Sequence, residues 1–464
     1  MTRGKKLLIL AGALVLVCGA ALLALNLSPA EDQVVEDTGT VILSVDSTAV
    51  TGMSWTYTET LAFAYDGTDW SYTTDSSFPV NGSYLDAMVS ALSEVCASTA
   101  IDAPEDLSQY GLDAPLCTVT VTTAEGDQTL SIGSESALGG ERYVTLDGTA
   151  VYLVSSDLLN NFEYGLYDLV ETETIPAMND ITGFTVQADT QTLTIQHLED
   201  SGLAYSDSYE WFAEEDSGYV TLDTSLTQAL TGEVTGLTWE SCVDYAADEA
   251  SLAVYGLTDP ACTVTITYIE TEGGAEKTFG LELGGYSGSS CYARLAGSSM
   301  VYLVDAAVSD TLLYTTVEEL LPDDVLEMDW DEVTELDITL DGVTYTLIHE
   351  TVEETDEEGT VTETTRWTKD GEELSLTSAL NALTGYASTG YATGITPERD
   401  AVLSLVIRRE VENWQEVEVV FYAYDSESCL VTLNGESTVF VARTDIDDLT
   451  ATLAELLTPA ETEE

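Results

Sequence analysis

The feature that most constrains the fold of this chain is a twelve-residue segment that occurs twice. Residues 110–121 read YGLDAPLCTVTV and residues 255–266 read YGLTDPACTVTI, so eight of the twelve positions are identical. Self-similarity over a long spacing indicates that a chain is assembled from copies of one folding unit. We therefore expect tandem domains of one fold.

Each copy combines a turn with a strand. We call the turns the repeat-anchor turns; their defining residues are Tyr110, Gly111, Leu112 and Pro115 in the first copy and Tyr255, Gly256, Leu257 and Pro260 in the second. Gly111 suits a turn that needs a positive φ or a close backbone approach, and Pro115 suits a strand entrance, where no ladder donor is required. In the strand that follows, Cys117, Val119 and Val121 share one face, as in a half-buried sheet. The turns are therefore predicted to shape the backbone rather than to bind a ligand.

Three units share one order of elements. Each opens with a pair of strands, continues with a helical segment and closes with a β-hairpin and a short helix; the helical segments are 81–95, 224–237 and 375–383. The hairpin turns at 147–148 (Asp-Gly) and 434–435 (Asn-Gly) are strong signals, because both central residues of such turns take positive φ. Because strands outnumber helices, the predicted fold class is α+β: an N-terminal transmembrane helix followed by three tandem β-rich repeat domains with antiparallel sheets.

An uncharged apolar run predicts the transmembrane helix. Residues 7–27 carry no charge, and as a helix they would span about 31 Å, enough to cross the hydrocarbon core. Arg3, Lys5 and Lys6 precede the run, so the positive-inside tendency places the N-terminus in the cytoplasm and the bulk of the chain outside. A cleaved signal peptide and a lipoprotein processed at Cys18 are the alternatives. All three predict an extracytoplasmic location, and the first predicts a single-pass protein of the cell membrane.

The predicted domain boundaries follow from the anchor and the repeats. They are a cytoplasmic N-terminus (1–6), the anchor (7–27), a linker (28–48), repeat domains at 49–176, 177–330 and 331–457, the last of them divergent, and an acidic tail (458–464). The linker is assigned because its first part is acidic, contains Pro29 and lacks periodicity.

The net charge restricts the partners. The chain has 84 acidic and 12 basic residues, a formal net charge of −72. Such a body repels phosphate backbones, so nucleic acid is excluded as a direct partner. The field attracts cations and basic protein surfaces instead.

Two pairs of cysteines match between the first and second units and have no counterpart in the third. Cys96 and Cys117 correspond to Cys242 and Cys262. Residues that appear and vanish as a pair behave as a disulfide would, and an extracytoplasmic location permits one. The bridges Cys96–Cys117 and Cys242–Cys262 are therefore candidates, and buried free thiols are the alternative.

No catalytic, cofactor-binding or metal-binding residue is predicted. His197 and His349 occupy matching positions in different units and cannot jointly bind zinc without a special interface. The sequence contains no nucleophile elbow and no phosphate loop. Trp70, Trp211 and Trp367 also match, and we interpret them as caps on a core edge, with an aromatic ligand platform as the alternative.

Together these motifs resemble a known family. The Tyr-Gly-Leu-x-x-Pro turn before a strand, the strand ends at 132–133 (Ile-Gly) and 283–284 (Leu-Gly), the Val-Tyr-Leu-Val hairpin and the N-terminal anchor are similar to those of the domain of unknown function 4340 family. The resemblance covers the first two units well and the third weakly, because the third lacks Tyr-Gly-Leu. It implies a bacterial membrane-anchored protein, often encoded beside ABC-transporter components and gliding-motility-type auxiliary proteins. It carries over no catalytic residue.

These expectations favour a binding or scaffolding protein over an enzyme. The leading hypothesis is a non-catalytic, membrane-anchored extracytoplasmic accessory protein that scaffolds or modulates an ABC-type envelope transport system, held in the membrane through residues 7–27 and bound to permease or auxiliary subunits. The alternative is an acidic cell-surface protein that binds cations, cationic peptides or wall polymers. A hydrolase that uses carboxylates is the third hypothesis.

Overall fold

The computed structural model of the protein describes residues 39–189, 191–355 and 361–458. The chain divides into two compact units, Met1–Glu173 and Thr174–Glu464. The first unit contains one large sheet and one two-stranded sheet, and the second unit contains two large sheets.

The predicted fold class, with its N-terminal transmembrane helix, is wrong. The described chain is mostly antiparallel sheet, with 44% strand and 21% helix, arranged in four sheets. No helix within the described ranges is long and apolar enough to cross a membrane. The longest helix described there has 15 residues, about 22 Å in length, whereas a membrane span needs about 20 residues. The predicted N-terminus (1–6) and anchor (7–27) lie outside the described residues.

The described part of the first unit begins with a strand inside the predicted linker. Its strands are β1 (Thr40–Leu43), β2 (Val50–Thr56), β3 (Thr60–Tyr65), β4 (Trp70–Tyr72), β5 (Val95–Ala97), β6 (Thr99–Asp102), β7 (Cys117–Thr123), β8 (Gly126–Glu135), β9 (Glu141–Thr145) and β10 (Ala150–Ser155), and helix α1 is Gly82–Ala91. β1 pairs with β5, and the large sheet has the order β4-β3-β2-β7-β8-β9-β10-β6. The predicted linker (28–48) is therefore folded from Thr40 onward, since Leu43 and Val45 are buried in the core.

The second sheet opens the second unit. Its strands are β11 (Asp180–Ala188), β12 (Thr192–His197), β13 (Trp211–Glu215), β14 (Gly218–Leu222), β15 (Ser241–Asp244), β16 (Cys262–Ile269), β17 (Glu276–Ser287), β18 (Ser290–Leu295) and β19 (Val301–Asp305), with helices α2 (Thr224–Thr235), α3 (Glu249–Tyr255) and α4 (Ala306–Tyr314). The order across the sheet is β14-β13-β12-β11-β16-β17-β18-β19-β15.

The third sheet completes the second unit. Its strands are β20 (Val333–Leu340), β21 (Val343–Thr355), β22 (Val361–Lys369), β23 (Glu372–Leu374), β24 (Gly390–Tyr391), β25 (Ala401–Arg409), β26 (Glu416–Ala423), β27 (Ser428–Leu433) and β28 (Glu436–Ala442), with helices α5 (Thr377–Thr384) and α6 (Arg443–Leu457). The order is β23-β22-β21-β20-β25-β26-β27-β28-β24. Strand for strand, this is the order of the second sheet. The first sheet follows the same path, but its described part has no counterpart of β14 and β23.

Each large sheet buries one face beneath its helices. On β7 the alternate residues Cys117, Val119 and Val121 are at most 2% exposed, which confirms the predicted period. On α1 the buried face consists of Leu85, Met88 and Val89, at the spacing of one helix face. Burying an aliphatic side chain of this kind stabilises a fold by about 1.5–3 kcal/mol relative to exposing it. The cores thus follow from the strand and helix periods.

Candidate functional site

The repeat-anchor turns have glycines where a side chain would strain the backbone and clash with a neighbour. Gly111 and Gly256 have φ of +67° and +71°, the left-handed region that costs other residues about 1–2 kcal/mol. A Cβ at Gly111 would lie 2.2 Å from Ser134 Oγ, and one at Gly256 would lie 2.9 Å from Gly285 N. The glycines are therefore required both by conformation and by packing, as Gly111 was predicted to be.

The turns dock on strand glycines that the same sequence motif supplies. A Cβ at Gly133 in β8 would lie 2.3 Å from Tyr110 O, and a Cβ at Gly284 in β17 would lie 2.4 Å from Tyr255 O. Leu112 is 6% exposed and Leu257 is fully buried. Pro115 and Pro260 lie two residues before β7 and β16. These contacts give the turns a structural role.

The structure contradicts both candidate disulfides. Cys117 and Cys262 are free thiols. Cys242 in β15 and Cys262 in β16 are separated by β17, β18 and β19, about 19 Å across the sheet, whereas a disulfide needs Cα atoms within about 7 Å. Cys96 lies in the two-stranded sheet, opposite Val41, and Cys117 lies in the large sheet. Burial raises the pKa of Cys117 to about 12 and that of Cys262 to about 11, so both thiols stay protonated and unreactive.

The matching tryptophans cap the core edge of each sheet. Trp70, Trp211 and Trp367 are at most 9% exposed, which favours the cap over the ligand platform. Each pairs across two strands with an aromatic ring: ring centroids are 4.9 Å apart for Tyr65 with Trp70 and 4.5 Å apart for His197 with Trp211. The indole N–H of Trp70 donates to Asp86 Oδ1 over 2.9 Å. These rings belong to the core.

A cavity in the second unit lies between the second and third sheets, and we call it the groove. It has a volume of about 270 Å³, and its walls include Leu203, Tyr205, Tyr209, Leu321, Tyr391 and Trp414. The second sheet contributes the loop between β12 and β13, residues 198–210, which we call the groove loop. The third sheet contributes β24 and the loop between β25 and β26.

Hydrogen bonds among the two sheets and the segment that connects them hold these walls in place. Trp414 Nε1 donates to Gly202 O over 2.9 Å, and Tyr391 Oη donates to Leu321 O over 2.8 Å. Tyr205 Oη accepts from the backbone N of Glu327 over 2.9 Å. Trp414 has a φ of +54°, a costly conformation for a bulky residue. The groove is therefore a preformed concave surface rather than a gap between loosely joined parts.

One carboxylate faces this aromatic wall. Tyr209 Oη donates to Asp324 Oδ2 over 3.5 Å. Burial raises the pKa of Asp324, and the nearby carboxylates of Glu327, Asp323 and Asp223 raise it further. None of the described residues that line the groove is basic. The groove therefore presents an uncompensated negative charge beside aromatic rings, a combination that recognises cations.

The tyrosine hydroxyls of the groove remain neutral. Burial raises the pKa of Tyr205 to about 12, and burial also raises that of Tyr209, assisted by the charge of Tyr205 and of the neighbouring carboxylates. Both phenols therefore act as hydrogen-bonding groups at neutral pH and are poor candidates for proton transfer.

A second group of polar residues lies at the ends of the groove loop. His197, Glu199 and Glu210 each place one potential ligand atom within 4.8 Å of the others. From the sequence, no metal-binding residue was predicted, because the two histidines fall in different units; in the structure His197 and His349 lie in different sheets. The available signal was His-x-Glu at 197–199 together with Glu210 directly before a strand. The abundance of carboxylates concealed it.

Comparison with known proteins identifies a family. The sequence profile of a domain of unknown function, DUF4340, matches residues 70–222 and again residues 211–401. The two matches confirm that the chain contains repeated domains. The first match runs from β4 to the end of β14, and the second runs from β13 to the first residue of β25. Each match therefore crosses from one sheet into the next, and the family's sequence unit is offset from the sheet. No match was found among curated proteins.

Proposed function

The chain belongs to the DUF4340 family, and from this premise we propose that it is a non-catalytic extracytoplasmic accessory protein that scaffolds or modulates an ABC-type envelope transport system. The contact with the partner is made by a basic segment of that partner, which inserts a cationic side chain into the groove. The observation that carries this proposal is the carboxylate of Asp324 beside the aromatic wall of the groove.

The size and chemistry of the groove favour an arginine side chain. Pockets for whole small-molecule ligands usually measure about 300–1,000 Å³, whereas the groove measures about 270 Å³. A guanidinium group can stack on Tyr205 or Trp414 and can also pair with the Asp324 carboxylate. Arginine and aromatic residues dominate the binding energy of protein interfaces. One arginine of a partner protein therefore satisfies both the shape and the charge of the groove.

The charge of the whole protein supports the same partner. With 84 acidic and 12 basic residues, the long-range field accelerates the approach of a basic surface and repels an acidic one. Affinity for the partner is therefore expected to fall as salt screens the field.

Peptide binding tests the groove. The full chain is titrated by calorimetry with a tetra-arginine peptide in about 150 mM salt, where the long-range field is largely screened. Asp324→Asn is expected to weaken binding about tenfold, since a hydrogen bond to a charged group contributes about 1.5–3 kcal/mol. Asp259→Asn removes one charge from an exposed turn and serves as the matched control. Equal losses in the two variants would show that the peptide senses net charge alone and would overturn the groove as the contact.

A crosslinking experiment tests the partner. A membrane-impermeant crosslinker is applied to intact cells, and peptides joined to the protein are identified by mass spectrometry. We expect crosslinks to a permease or auxiliary subunit of a transporter, reduced in the Asp324→Asn variant. A protein that the reagent does not reach would contradict the extracytoplasmic location, and a modified protein without transporter crosslinks would contradict the transport role.

The excess of carboxylates favours one other candidate function. In this alternative, the protein binds cations, cationic peptides or wall polymers at the cell surface. Peptide binding that Asp324→Asn and Asp259→Asn weaken equally, without transporter crosslinks, would favour this second candidate.

A further inference from the structure

We propose that His197, Glu199 and Glu210 form a binding site for a transition-metal dication, with Zn²⁺ as the best match. One ligand atom of each residue lies within 4.8 Å of the other two. Around a tetrahedral Zn²⁺, with ligands about 2.1 Å from the ion, neighbouring ligand atoms lie about 3.4 Å apart. Small side-chain rotations therefore bring the three groups onto one ion.

The local fold brings these residues together. The ladder between β12 and β13 ends at the pair His197 and Trp211, and beyond it the backbone N of Leu198 donates to Glu210 O over 2.8 Å. Glu199 and Glu210 thus stand at the two ends of the groove loop. His197 Nε2 lies 3.2 Å from Glu210 Oε2. Stacking on Trp211, with 27° between the ring planes, fixes the direction of the imidazole.

The donor set selects among metals. One imidazole nitrogen and two carboxylates suit Zn²⁺, which is commonly held by three protein ligands with a further position for water. Ca²⁺ and Mg²⁺ prefer sites made entirely of oxygen, so the imidazole disfavours them. The side chain of Glu210 is 41% exposed and that of His197 is 15% exposed, which leaves an ion a path from solvent.

The third sheet repeats the histidine without the carboxylates. His349 stacks on Trp367 with ring centroids 4.5 Å apart, but Arg366 occupies the position of Glu210 and Thr351 that of Glu199. There the ladder continues beyond His349 to the pair Thr355 and Val361, so the positions next to the histidine belong to paired strands. The histidine–tryptophan stack therefore belongs to the shared fold, whereas the carboxylates are specific to the second sheet.

An ion at this site would act on the groove loop. Glu199 and Glu210 flank the segment that carries Leu203, Tyr205 and Tyr209, and one ion bound to both carboxylates fixes the two ends of that segment. The site itself needs no occupant in the groove, so its test is independent of the proposed function.

Metal titration of the full chain tests the site. Zn²⁺ is titrated by calorimetry in about 150 mM NaCl, and Co²⁺ serves as a spectroscopic probe, because its absorption bands report ligand type and geometry. His197→Gln, Glu199→Gln and Glu210→Gln are each expected to weaken binding at least about tenfold, since even the loss of a residue that only orients a ligand costs 10–100-fold. His349→Gln, at the equivalent stack of the third sheet, is the matched control and should bind as the unaltered chain does.

Two controls separate specific Zn²⁺ binding at the site from nonspecific binding and from misfolding of a variant. Ca²⁺ measures the background binding of the many surface carboxylates, which should be the same in all four variants. Glu199 is exposed, so Glu199→Gln is expected to fold normally. If His197→Gln fails to fold, the Zn²⁺ affinity of Glu199→Gln tests the site instead. Unchanged Zn²⁺ binding in Glu199→Gln and Glu210→Gln, or an equal loss in His349→Gln, would overturn the site.

Discussion

Two glycines of the second sheet have the same backbone conformation but different surroundings. Gly256 and Gly273 have φ of +71° and +70°. A Cβ at Gly256 would lie 2.9 Å from Gly285 N, whereas nothing lies within 4 Å of a Cβ at Gly273. The pair therefore separates the cost of backbone conformation from the cost of a steric clash.

Alanine substitution at the two positions gives the first prediction. Gly273→Ala is expected to destabilise the second unit by about 1 kcal/mol through positive φ alone. Gly256→Ala is expected to cost about 1–2 kcal/mol more, because the backbone of Gly285 must move. Urea unfolding of the two variants measures the difference. Equal destabilisation would show that the repeat-anchor turn does not depend on its close contact.

Residue by residue, local backbone requirements were predictable and long-range partners were not. The φ of Gly111 follows from a turn before a strand, and the buried face of β7 follows from alternation. The disulfide prediction was wrong because two residues that are present or absent together can be so for packing as well as for a covalent bond. His197, Glu199 and Glu210 come together where the groove loop closes, and the abundance of carboxylates hid the local His-x-Glu pattern that hinted at it.

Arg408 joins three neighbouring strands of the third sheet. Arg408 Nη1 lies 2.5 Å from Glu335 Oε1 and 2.8 Å from Asp337 Oδ2. Nε of the same side chain lies 3.1 Å from Glu416 Oε2. These carboxylates belong to β20 and β26, on either side of β25. In a chain with so few basic residues, one guanidinium thus offsets the repulsion among three acids.

Removing this guanidinium gives the second prediction. Arg408→Gln is expected to destabilise the second unit by about 1–2 kcal/mol at neutral pH, since exposed pairs contribute up to about 1 kcal/mol each and adjacent pairs are not additive. Arg366→Gln, which breaks a single exposed pair with Glu350, is the matched control and should cost less than about 0.5 kcal/mol. Thermal unfolding compares the two.

The pH dependence of this loss has a defined sign. A hydrogen bond from Thr346 holds the pKa of Asp337 below its ordinary value of 3.8, and Arg408 lowers it further. The stability that Asp337 contributes is therefore present above that ordinary value and is lost as pH falls through the lower value in the folded state. The deficit of Arg408→Gln should shrink on acidification below about pH 4. A deficit that stays constant down to pH 3 would contradict the role of Asp337.

Elements were predicted where the signal is local. Asn434 and Gly435 both have positive φ, as the Asn-Gly hairpin turn requires. At 147–148 only Gly148 has positive φ, so the prediction for the Asp-Gly turn was wrong at Asp147. The third sheet keeps the strand order of the second although it lacks Tyr-Gly-Leu, because alternation and turns fix strand pairing. The edge strands β6, β15 and β24 were not foreseen as edges, since their pairing with β10, β19 and β28 depends on residues far along the chain.

The net charge of −72 opposes the compact state of the entire molecule. Carboxylates repel one another over distances that salt screens, and the Debye length falls from about 10 Å at 0.1 M to about 3 Å at 1 M. Folding brings these charges closer together, so screening favours the folded chain.

Salt dependence gives the third prediction. The thermal midpoint is expected to rise by several degrees between about 20 mM and about 500 mM NaCl, where the Debye length has become short. An uncharged osmolyte at matched osmolality separates screening from solvent exclusion. A midpoint that is flat or falls with NaCl would show that the arrangement of ion pairs outweighs the overall repulsion.

The strand that completes each large sheet has implications for synthesis on the ribosome. In the second sheet, Ser241 of β15 pairs with Leu303 of β19, and β6 and β24 likewise precede their partners β10 and β28. At a translation rate of about 5–20 residues per second, β15 waits roughly 3–12 seconds for a partner that has not yet been made. During that interval the nascent chain carries an unsatisfied strand, and this happens once for each copy. Each added copy of the unit therefore adds one interval during synthesis in which an unpaired strand of the nascent chain could pair with a strand of another chain.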